Sequence, residues 1–284
     1  MVKAYYQLTK PGIIYGNLLT AAAGFFLASK GSPDLWLLAA TLSAIALIIA
    51  CACVFNNYLD RDIDKQMKRT ADRALATGAI APRSALIYAT ILGIMGFVML
   101  GLFTNLITFA IGLVGLVSYV GLYTFAKRVT LHGTLIGSIS GSTSLVAGYC
   151  AVTNSFDLAA LILFMIMAIW QMPHFYAIAT YRLTEYKHAK IPVLPIVKGV
   201  GAAKLQIFLY VAGFIAASML LTTFGYTGYV YLVVMTTFGA GWLWLSFKGF
   251  ESRDSDGWAR QLFRYSLVVL VVFSVMISLN SYLV

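Results

Sequence analysis

Three oxygen-bearing side chains recur at a four-residue spacing near the end of an apolar segment. Asn56, Asp60 and Asp64 stand at positions i, i+4 and i+8, so on a helix they lie along one face. Two carboxylates one turn apart repel each other, and Mg²⁺, which binds one or two carboxylates plus substrate phosphates, relieves that repulsion. Basic side chains follow directly, at Lys65, Lys68, Arg69 and Arg73. Carboxylates for a metal beside cations for phosphate indicate a diphosphate site at a membrane surface.

A second polar segment, residues 182–204, places another carboxylate among cations. Its charged side chains include Glu185, Arg182, Lys187, Lys190 and Lys198. Taken alone, the segment is equally typical of a basic loop that only fixes membrane topology. Together with the acidic cluster, it favours a second set of diphosphate contacts, for which arginine offers a planar fork and lysine a point charge.

Long apolar segments must position these side chains. Of the 284 residues, 61% are hydrophobic and 11% are charged, which excludes an ordinary soluble domain. Nine runs are long enough to cross a bilayer, which takes about 20 helical residues. They are residues 11–29, 35–55, 84–103, 106–126, 133–152, 158–181, 205–224, 228–247 and 262–283. The sequence therefore predicts an all-α, polytopic membrane protein with nine transmembrane helices, in which residues 1–284 form a single domain.

The positions of the charges predict how the chain crosses the membrane. A net charge of +10 would suit nucleic acid, but every lysine and arginine except Lys30 lies in the N-terminal segment or in every second loop, including Lys127 and Arg128. This alternation is the positive-inside pattern, so no nucleic-acid partner is predicted. We expect a cytoplasmic N-terminus, an extracytoplasmic C-terminus and cytoplasmic polar loops. The short N-terminal segment, which is not rich in Arg and Ser, favours a bacterial inner (plasma) membrane.

Several longer motifs extend the acidic cluster. They read NNYLDRDID at 56–64, MKRT at 67–70, WQMPHFY at 170–176, IPVLP at 191–195 and KPGII at 10–14. Together they resemble the UbiA-type intramembrane prenyltransferases, and within that family the branch that prenylates haem. The resemblance covers residues 9–198, whereas the last three runs match only in hydrophobicity and number.

The resemblance implies a nine-helix bundle around a central, lipid-accessible cavity, and a transferase activity. The farnesyl group of farnesyl diphosphate would join a vinyl group of haem b with addition of water, which yields haem O and diphosphate. Mg²⁺ is the implied cofactor. The implied partners are farnesyl diphosphate, haem b and the lipid bilayer, together with docking to a downstream haem-modifying enzyme or terminal oxidase assembly factor.

The same resemblance assigns roles to individual residues. The expected catalytic residues are Asn56, Asp60, Asp64, Lys68 and Arg69. Asp60 and Asp64 would hold the metal, with Asn56 as a further oxygen ligand of the metal or as a hydrogen-bonding partner of the carboxylates. The expected diphosphate contacts are Arg73, Arg182, Glu185, Lys187, Lys190 and Lys198. Preorganised cations there would stabilise the charge that develops on the leaving group. Two positions depart from the family pattern, which has Asp in place of Glu185 and a small or neutral residue in place of Lys190.

Other side chains near the motifs have both functional and structural interpretations. Asp62 points to the opposite helix face and is expected to pair with Arg61 or Lys65. Aromatic side chains could line a farnesyl groove and stabilise an allylic cation, or belong to the core and interfacial belt. The candidates for that groove are Tyr58, Tyr119, Tyr123, Phe175 and Tyr176.

His174 is the histidine that falls inside an apolar run, directly after Pro173. An ionisable residue within the membrane indicates function, and imidazole is a natural axial ligand of haem iron. The alternative is a neutral histidine held by a hydrogen bond between helices. His132, at the cytoplasmic start of the fifth run, is a weaker haem-binding candidate.

The two polar loops lie four spans apart, which suggests a parallel internal duplication with two half-sites facing one cavity. Internal repeats also suit a secondary transporter, although transporters place charged sites near the bilayer midplane and the acidic residues here lie in loops or at span ends. A prenyltransferase for another ring acceptor would not need His174. A non-enzymatic haem-binding subunit would leave the carboxylate pattern without a purpose.

Overall fold

The computed structural model describes residues 1–283, and the regular secondary structure of that part of the chain is helical. The helices are α1 (Val2–Leu8), α2 (Pro11–Ser29), α3 (Leu35–Leu59), α4 (Arg61–Asp64), α5 (Pro82–Phe103), α6 (Leu106–Val117), a π-helical segment (Ser118–Tyr123), α7 (Thr124–Val129), α8 (Gly133–Thr153), α9 (Leu158–Tyr181), α10 (Leu183–His188), α11 (Leu194–Val197), α12 (Gly199–Thr223), α13 (Tyr229–Glu251), α14 (Ser255–Leu279) and a 3₁₀ turn (Asn280–Tyr282).

Nine helical units within residues 1–283 are long and apolar enough to cross a membrane, as the sequence predicts. The fourth, Leu106–Val129, combines α6, the π-helical segment and α7. Some helices extend further at their polar ends than the apolar runs, because backbone hydrogen bonding continues past the last apolar residue. α3 reaches Leu59, while α12 begins at Gly199 and α14 at Ser255.

Side-chain caps fix where several spans begin. Asp34 accepts hydrogen bonds from two backbone N–H groups at the start of α3, and Asp157 accepts one at the start of α9. Asn105 and Asp254 do the same for α6 and α14. Each cap satisfies N–H groups that have no partner within the helix. These short polar residues therefore fix the residue at which each of these four spans begins.

Small residues allow α2 and α8 to pack closely. A Cβ added to Gly24 would meet the carbonyl oxygen of Leu145, and one added to Gly148 would meet that of Ala21. α8 also packs against α6 and α9, and buried Ser and Ala residues fill these contacts. The small side chains of α8 therefore allow close contacts between helices.

The apolar core is largest in the second half of the bundle, among α8, α9, α12, α13 and α14. Trp242, Phe214 and Phe273 are fully buried there. A cavity of about 1450 Å³ lies beside this core. Its walls come from α2, α3, the α6–α7 span, α8, α9 and α14, and residues of both polar loops complete it.

Candidate active site

The three residues of the acidic cluster face the cavity together. Asn56 lies in the last turn of α3. Helical backbone hydrogen bonds continue past it, because Asp60 N–H donates to Asn56 O (2.9 Å) and Asp64 N–H donates to Asp60 O (2.8 Å). All three side chains are buried and line the cavity. The four-residue spacing therefore produces the shared face that the sequence predicts.

Cations from other segments neutralise the two buried carboxylates. Lys127 Nζ donates to Asp60 Oδ2, and Arg128 lies 3.3 Å from Asp60 Oδ1. Arg73 donates to both oxygens of Asp64, at 2.9 and 2.8 Å. Buried charges need such partners, because desolvation alone costs several kcal/mol per ion. Lys127 and Arg128 were expected only to fix topology, so their place at the site was not predicted from the sequence.

Asn56 connects the first span to the fourth. Its Oδ1 accepts a hydrogen bond from Lys10 Nζ (2.7 Å), and its Nδ2 donates to Thr124 Oγ1 (3.1 Å). Lys10 precedes α2 in a left-handed conformation (φ 54°), which aims it at the cavity that it lines. Burial lowers the pKa of Lys10 to about 8. Asn56 Oδ1 accepts from Lys10 and keeps a second lone pair for another partner.

Asp62 lies outside the cavity, and its expected partner was wrong. Its carboxylate pairs with Arg128 at 3.1 Å rather than with Arg61 or Lys65. The hydrogen bond from Arg128 holds the pKa of this carboxyl below its ordinary value. Arg61 instead donates to the carbonyl of Tyr58 (2.7 Å) and stacks on its ring. Arg128 therefore links Asp60 and Asp62 from α7, a contact between segments that local spacing does not predict.

The second loop contributes Arg182 and Tyr186 to the cavity wall. Arg182 NH1 lies 3.0 Å from Glu185 Oε1, one helical turn away. The other carboxylate oxygen, Glu185 Oε2, is buried and has no hydrogen-bond partner within residues 1–283. Burial raises the pKa of Tyr186 to about 12, so its hydroxyl stays protonated. The loop thus supplies a cation and a neutral donor at the cavity, with a carboxylate directly behind them.

The cations of the two loops do not all reach the site. Arg69, Arg73 and Arg182 line the cavity. The side chains that are exposed and stand outside its lining are Lys68, Lys187, Lys190, Lys198 and His132. Their exposure agrees with the topological role of basic loop residues.

Two of the five aromatic candidates are not part of the cavity. Tyr58 packs in a small cluster with α5, and Tyr176 lies in the main core. Tyr119, Tyr123 and Phe175 line the cavity. The rings of Tyr119 and Tyr123 stack with centroids 5.5 Å apart. They project from the π-helical segment, a rare form that is frequent at functional sites.

His174 also lines the cavity and is 8% exposed. Its Nδ1 lies 2.8 Å from Ser266 Oγ of α14. Its ring stacks on Trp170, one turn earlier in α9, with centroids 4.7 Å apart. α9 continues through Pro173 to Tyr181. The structure therefore shows both features expected of His174, a cavity position and a hydrogen bond between helices.

The donor chemistry of the acidic cluster fits Mg²⁺. Asp60 and Asp64 offer hard carboxylate oxygens on the cavity wall, whereas the unpaired, buried Glu185 Oε2 belongs to a residue outside the cavity lining. Residues 1–283 contain no group of three or more His, Cys, Asp or Glu side chains that would enclose a metal on their own. Mg²⁺ suits such a site, because it takes one or two carboxylates and fills its remaining positions with water and substrate phosphates.

Comparison with known sequences covers most of the chain. The profile of the UbiA prenyltransferase family matches residues 17–268. A protoheme IX farnesyltransferase of Serratia proteamaculans (strain 568) is 50% identical over 281 residues, which cover 99% of this chain and 95% of the relative. A protoheme IX farnesyltransferase of Enterobacter sp. (strain 638) gives the same identity and coverage. The similarity thus extends beyond the motifs into the last spans.

Solved structures share the fold at low sequence identity. A digeranylgeranylglyceryl phosphate synthase structure superimposes with a TM-score of 0.82 at 17% identity, over 100% of this chain and 99% of that one. A UbiA homologue from Archaeoglobus fulgidus, bound to GPP and Mg²⁺, gives a TM-score of 0.73 at 17% identity, over 97% and 99%. With the sequence matches, these show that the chain is a multi-pass membrane protein and belongs to the UbiA prenyltransferase family.

Proposed function

We propose that this protein transfers the farnesyl group of farnesyl diphosphate to a vinyl group of protohaem IX (haem b), with addition of water, to give haem O and diphosphate. The observation that carries the proposal is a single cavity that holds buried carboxylates, cations, aromatic rings and a histidine. Relatives with half of their residues identical, named protoheme IX farnesyltransferase, support haem as the acceptor.

Asp60 and Asp64 are the residues that we propose hold Mg²⁺, with Asn56 beside them, whereas Glu185 pairs with Arg182 and stands outside the cavity lining. When bound, Mg²⁺ supplies positive charge that stabilises the departing diphosphate. The cavity cations that we assign to phosphate oxygens are Lys10, Arg69, Arg73, Lys127 and Arg182. Lys127 and Arg73 contact carboxylates in the free protein, so they are already placed and charged when the diphosphate arrives.

The stacked rings of Tyr119 and Tyr123 support the next step. Cleavage of the allylic C–O bond leaves positive charge on the prenyl carbon, and aromatic faces attract such a charge. Lys127 is one helical turn from Tyr123 and lies 5.2 Å from its ring centroid. The rings are therefore adjacent to the proposed diphosphate site, where the cation forms.

His174 supports the position of the acceptor. It lies seven residues before the end of α9 at Tyr181, which places it about 10 Å deeper along the helix axis. Its imidazole is a suitable axial ligand for haem iron. Trp170 and Phe263 flank it and offer flat apolar surfaces to a porphyrin. We assign His174 to haem binding, whereas the exposed His132 has no such surroundings.

The bacterial relatives support a bacterial inner membrane, and the charge alternation supports a cytoplasmic N-terminus, cytoplasmic site loops and an extracytoplasmic C-terminus. Exposed Lys187, Lys190 and Lys198 fit that orientation as cytoplasmic anchors. Docking to a downstream haem-modifying enzyme or oxidase assembly factor stays a prediction.

The test is mass analysis of haem extracted after the purified protein is incubated with haem b, farnesyl diphosphate and Mg²⁺. We expect a product heavier by a farnesyl group plus water, and its loss when Mg²⁺ is omitted. Unchanged haem together with prenylation of another ring acceptor would overturn the haem assignment. Failure with every acceptor would favour a transporter.

A further inference from the structure

The contact between α9 and α14 holds His174 from three sides. Ser266 Oγ lies 2.8 Å from Nδ1 of the imidazole. The Trp170 ring stacks on the imidazole, and its indole N–H donates to the backbone carbonyl of Ser266 (3.0 Å). The Phe263 ring lies on α14 with its centroid 4.9 Å from that of the imidazole. Ser266 is itself fully buried and stands outside the cavity lining.

The hydrogen bonds of Ser266 determine which nitrogen of His174 carries the proton. Ser266 Oγ donates to the backbone carbonyl of Phe263 at 2.6 Å. A serine hydroxyl has one proton and two acceptor lone pairs, so that donation leaves only a lone pair for His174. Nδ1 must therefore be the donor, and the neutral imidazole is protonated at Nδ1. Nε2 then carries the free lone pair.

The free nitrogen opens on to the cavity. Nε2 makes no hydrogen bond to the described part of the protein. It is also not fully enclosed, since it is absent from the enclosed polar atoms that lack a hydrogen-bond partner there. His174 lines the cavity, so a ligand in the cavity can contact Nε2. A neutral imidazole with a free Nε2 is the form that binds iron.

We propose that Ser266 is a positioning residue that fixes His174 in the Nδ1–H tautomer and directs the Nε2 lone pair to the iron of the acceptor haem. This inference rests on the proposed function, which identifies haem as the acceptor. A hydrogen bond to the remote N–H of a ligating histidine sets the ring orientation and makes the imidazole a stronger donor. Ser266 thus acts on the haem through His174 and not by contact.

The main test compares S266A with wild type, using the full-length protein in detergent with ferrous haem b bound. We expect the iron–histidine stretching band in the resonance Raman spectrum to shift to lower frequency in S266A, because Nδ1–H loses its acceptor. Haem affinity should fall roughly 10-fold, while affinity for farnesyl diphosphate stays unchanged. H174A should lose the band altogether.

Two further variants separate positioning from packing. Ser274 is buried two turns later in α14 and donates to Leu270 O (2.8 Å), without a contact to His174. S274A therefore removes an equivalent hydroxyl and should leave the band and haem affinity as in wild type. S266T keeps a hydroxyl at the right place and should restore the band position. A band that is identical in S266A and wild type would overturn the inference.

The tautomer of His174 can also be measured directly in the wild-type protein. The ¹⁵N spectrum of haem-free protein with labelled histidine, assigned by comparison with H174A, should show a protonated Nδ1 on His174. A protonated Nε2 would overturn the inference.

If ligation through His174 and the S266A shift are observed but haem is not prenylated, the inference stands and the proposed function fails. If haem is prenylated and H174A keeps the band, the inference fails and the proposed function stands.

Discussion

Single residues at this site depend on partners far away in the sequence. Lys127 is 67 positions from Asp60, and Lys10 is 46 positions from Asn56. Spacing along one helix predicts which carboxylates share a face, because that relation is local. It does not predict which cations other helices bring to them. The acidic cluster was therefore predictable, whereas Lys10, Lys127, Arg128 and Ser266 emerged only from the folded structure.

We predict that Asp60→Asn or Asp64→Asn abolishes prenyl transfer, with a loss of about 100-fold or more, while the protein still reaches the membrane. Each change removes a carboxylate that we propose binds Mg²⁺ and leaves Lys127 or Arg73 without its ion pair. Product mass measures the activity, and the amount of protein in the membrane fraction measures insertion. Asp62→Asn is the matched control, because Asp62 is exposed and outside the cavity, and it should remain active. Full activity in either of the first two variants would contradict the metal-site assignment.

At the scale of helices, the π-helical segment sets the register of the fourth span. Thr124 Oγ1 donates to the carbonyl of Tyr119, five residues earlier (2.9 Å). A π turn inserts an extra residue into an α-helix, so the residues after it are rotated relative to those before it. Hydropathy is insensitive to this rotation, since the whole run is apolar. The sequence therefore predicts the span but not the placement of Lys127.

Deletion of Gly121 should return this segment to an α-helix and rotate Lys127 by about 100° relative to Tyr119. Gly121 has no neighbouring atom within 4 Å of its Cβ position, so position 121 itself loses no side-chain contact. We expect at least a 10-fold loss of activity and a lower Tm in detergent, because Lys127 and Arg128 are rotated away from the buried Asp60 carboxylate. Gly121→Ala keeps the residue count and should retain activity. An active deletion variant would show that the register of this span is unimportant.

The close contact of α2 with α8 leads to a prediction about stability. Gly148→Ala would place a methyl group against the backbone carbonyl of Ala21, so the two helices must separate. We expect the free energy of unfolding to fall by about 1–3 kcal/mol, measured as a lower Tm in detergent. Gly101→Ala in α5, where nothing lies within 4 Å, should leave Tm unchanged. An equal Tm for the two variants would mean that α2 and α8 adjust freely.

At the scale of the whole molecule, both polar loops meet at one cavity, as the expected duplication requires. Asp64 and Arg73 come from the first loop, and Arg182 and Tyr186 from the second. The halves differ in packing, because the largest apolar core lies among the later helices. Hydropathy and run length were sufficient to predict nine spans. The neighbours of each helix could not be predicted, because most spans are apolar around much of their circumference.

The proposed orientation can be tested with single cysteines. The three native cysteines, Cys51, Cys53 and Cys150, are buried, so the wild-type protein should not react with a membrane-impermeant maleimide. Ser32 and Thr77 are exposed at opposite ends of the bundle. Ser32→Cys should react in intact spheroplasts, and Thr77→Cys only after permeabilisation. The reverse pattern would invert the topology.

The ion pairs of Asp60 and Asp64 also bear on how the protein is made in the cell. Because Lys127, Arg128 and Arg73 already balance both carboxylates, the chain carries its own counter-ions when it leaves the insertion machinery. We therefore expect this protein to fold without Mg²⁺, unlike small metal-folded domains, which are unfolded without their ion. A magnesium-starved cell should therefore accumulate normal amounts of intact but idle protein, which resumes turnover without new synthesis when magnesium returns.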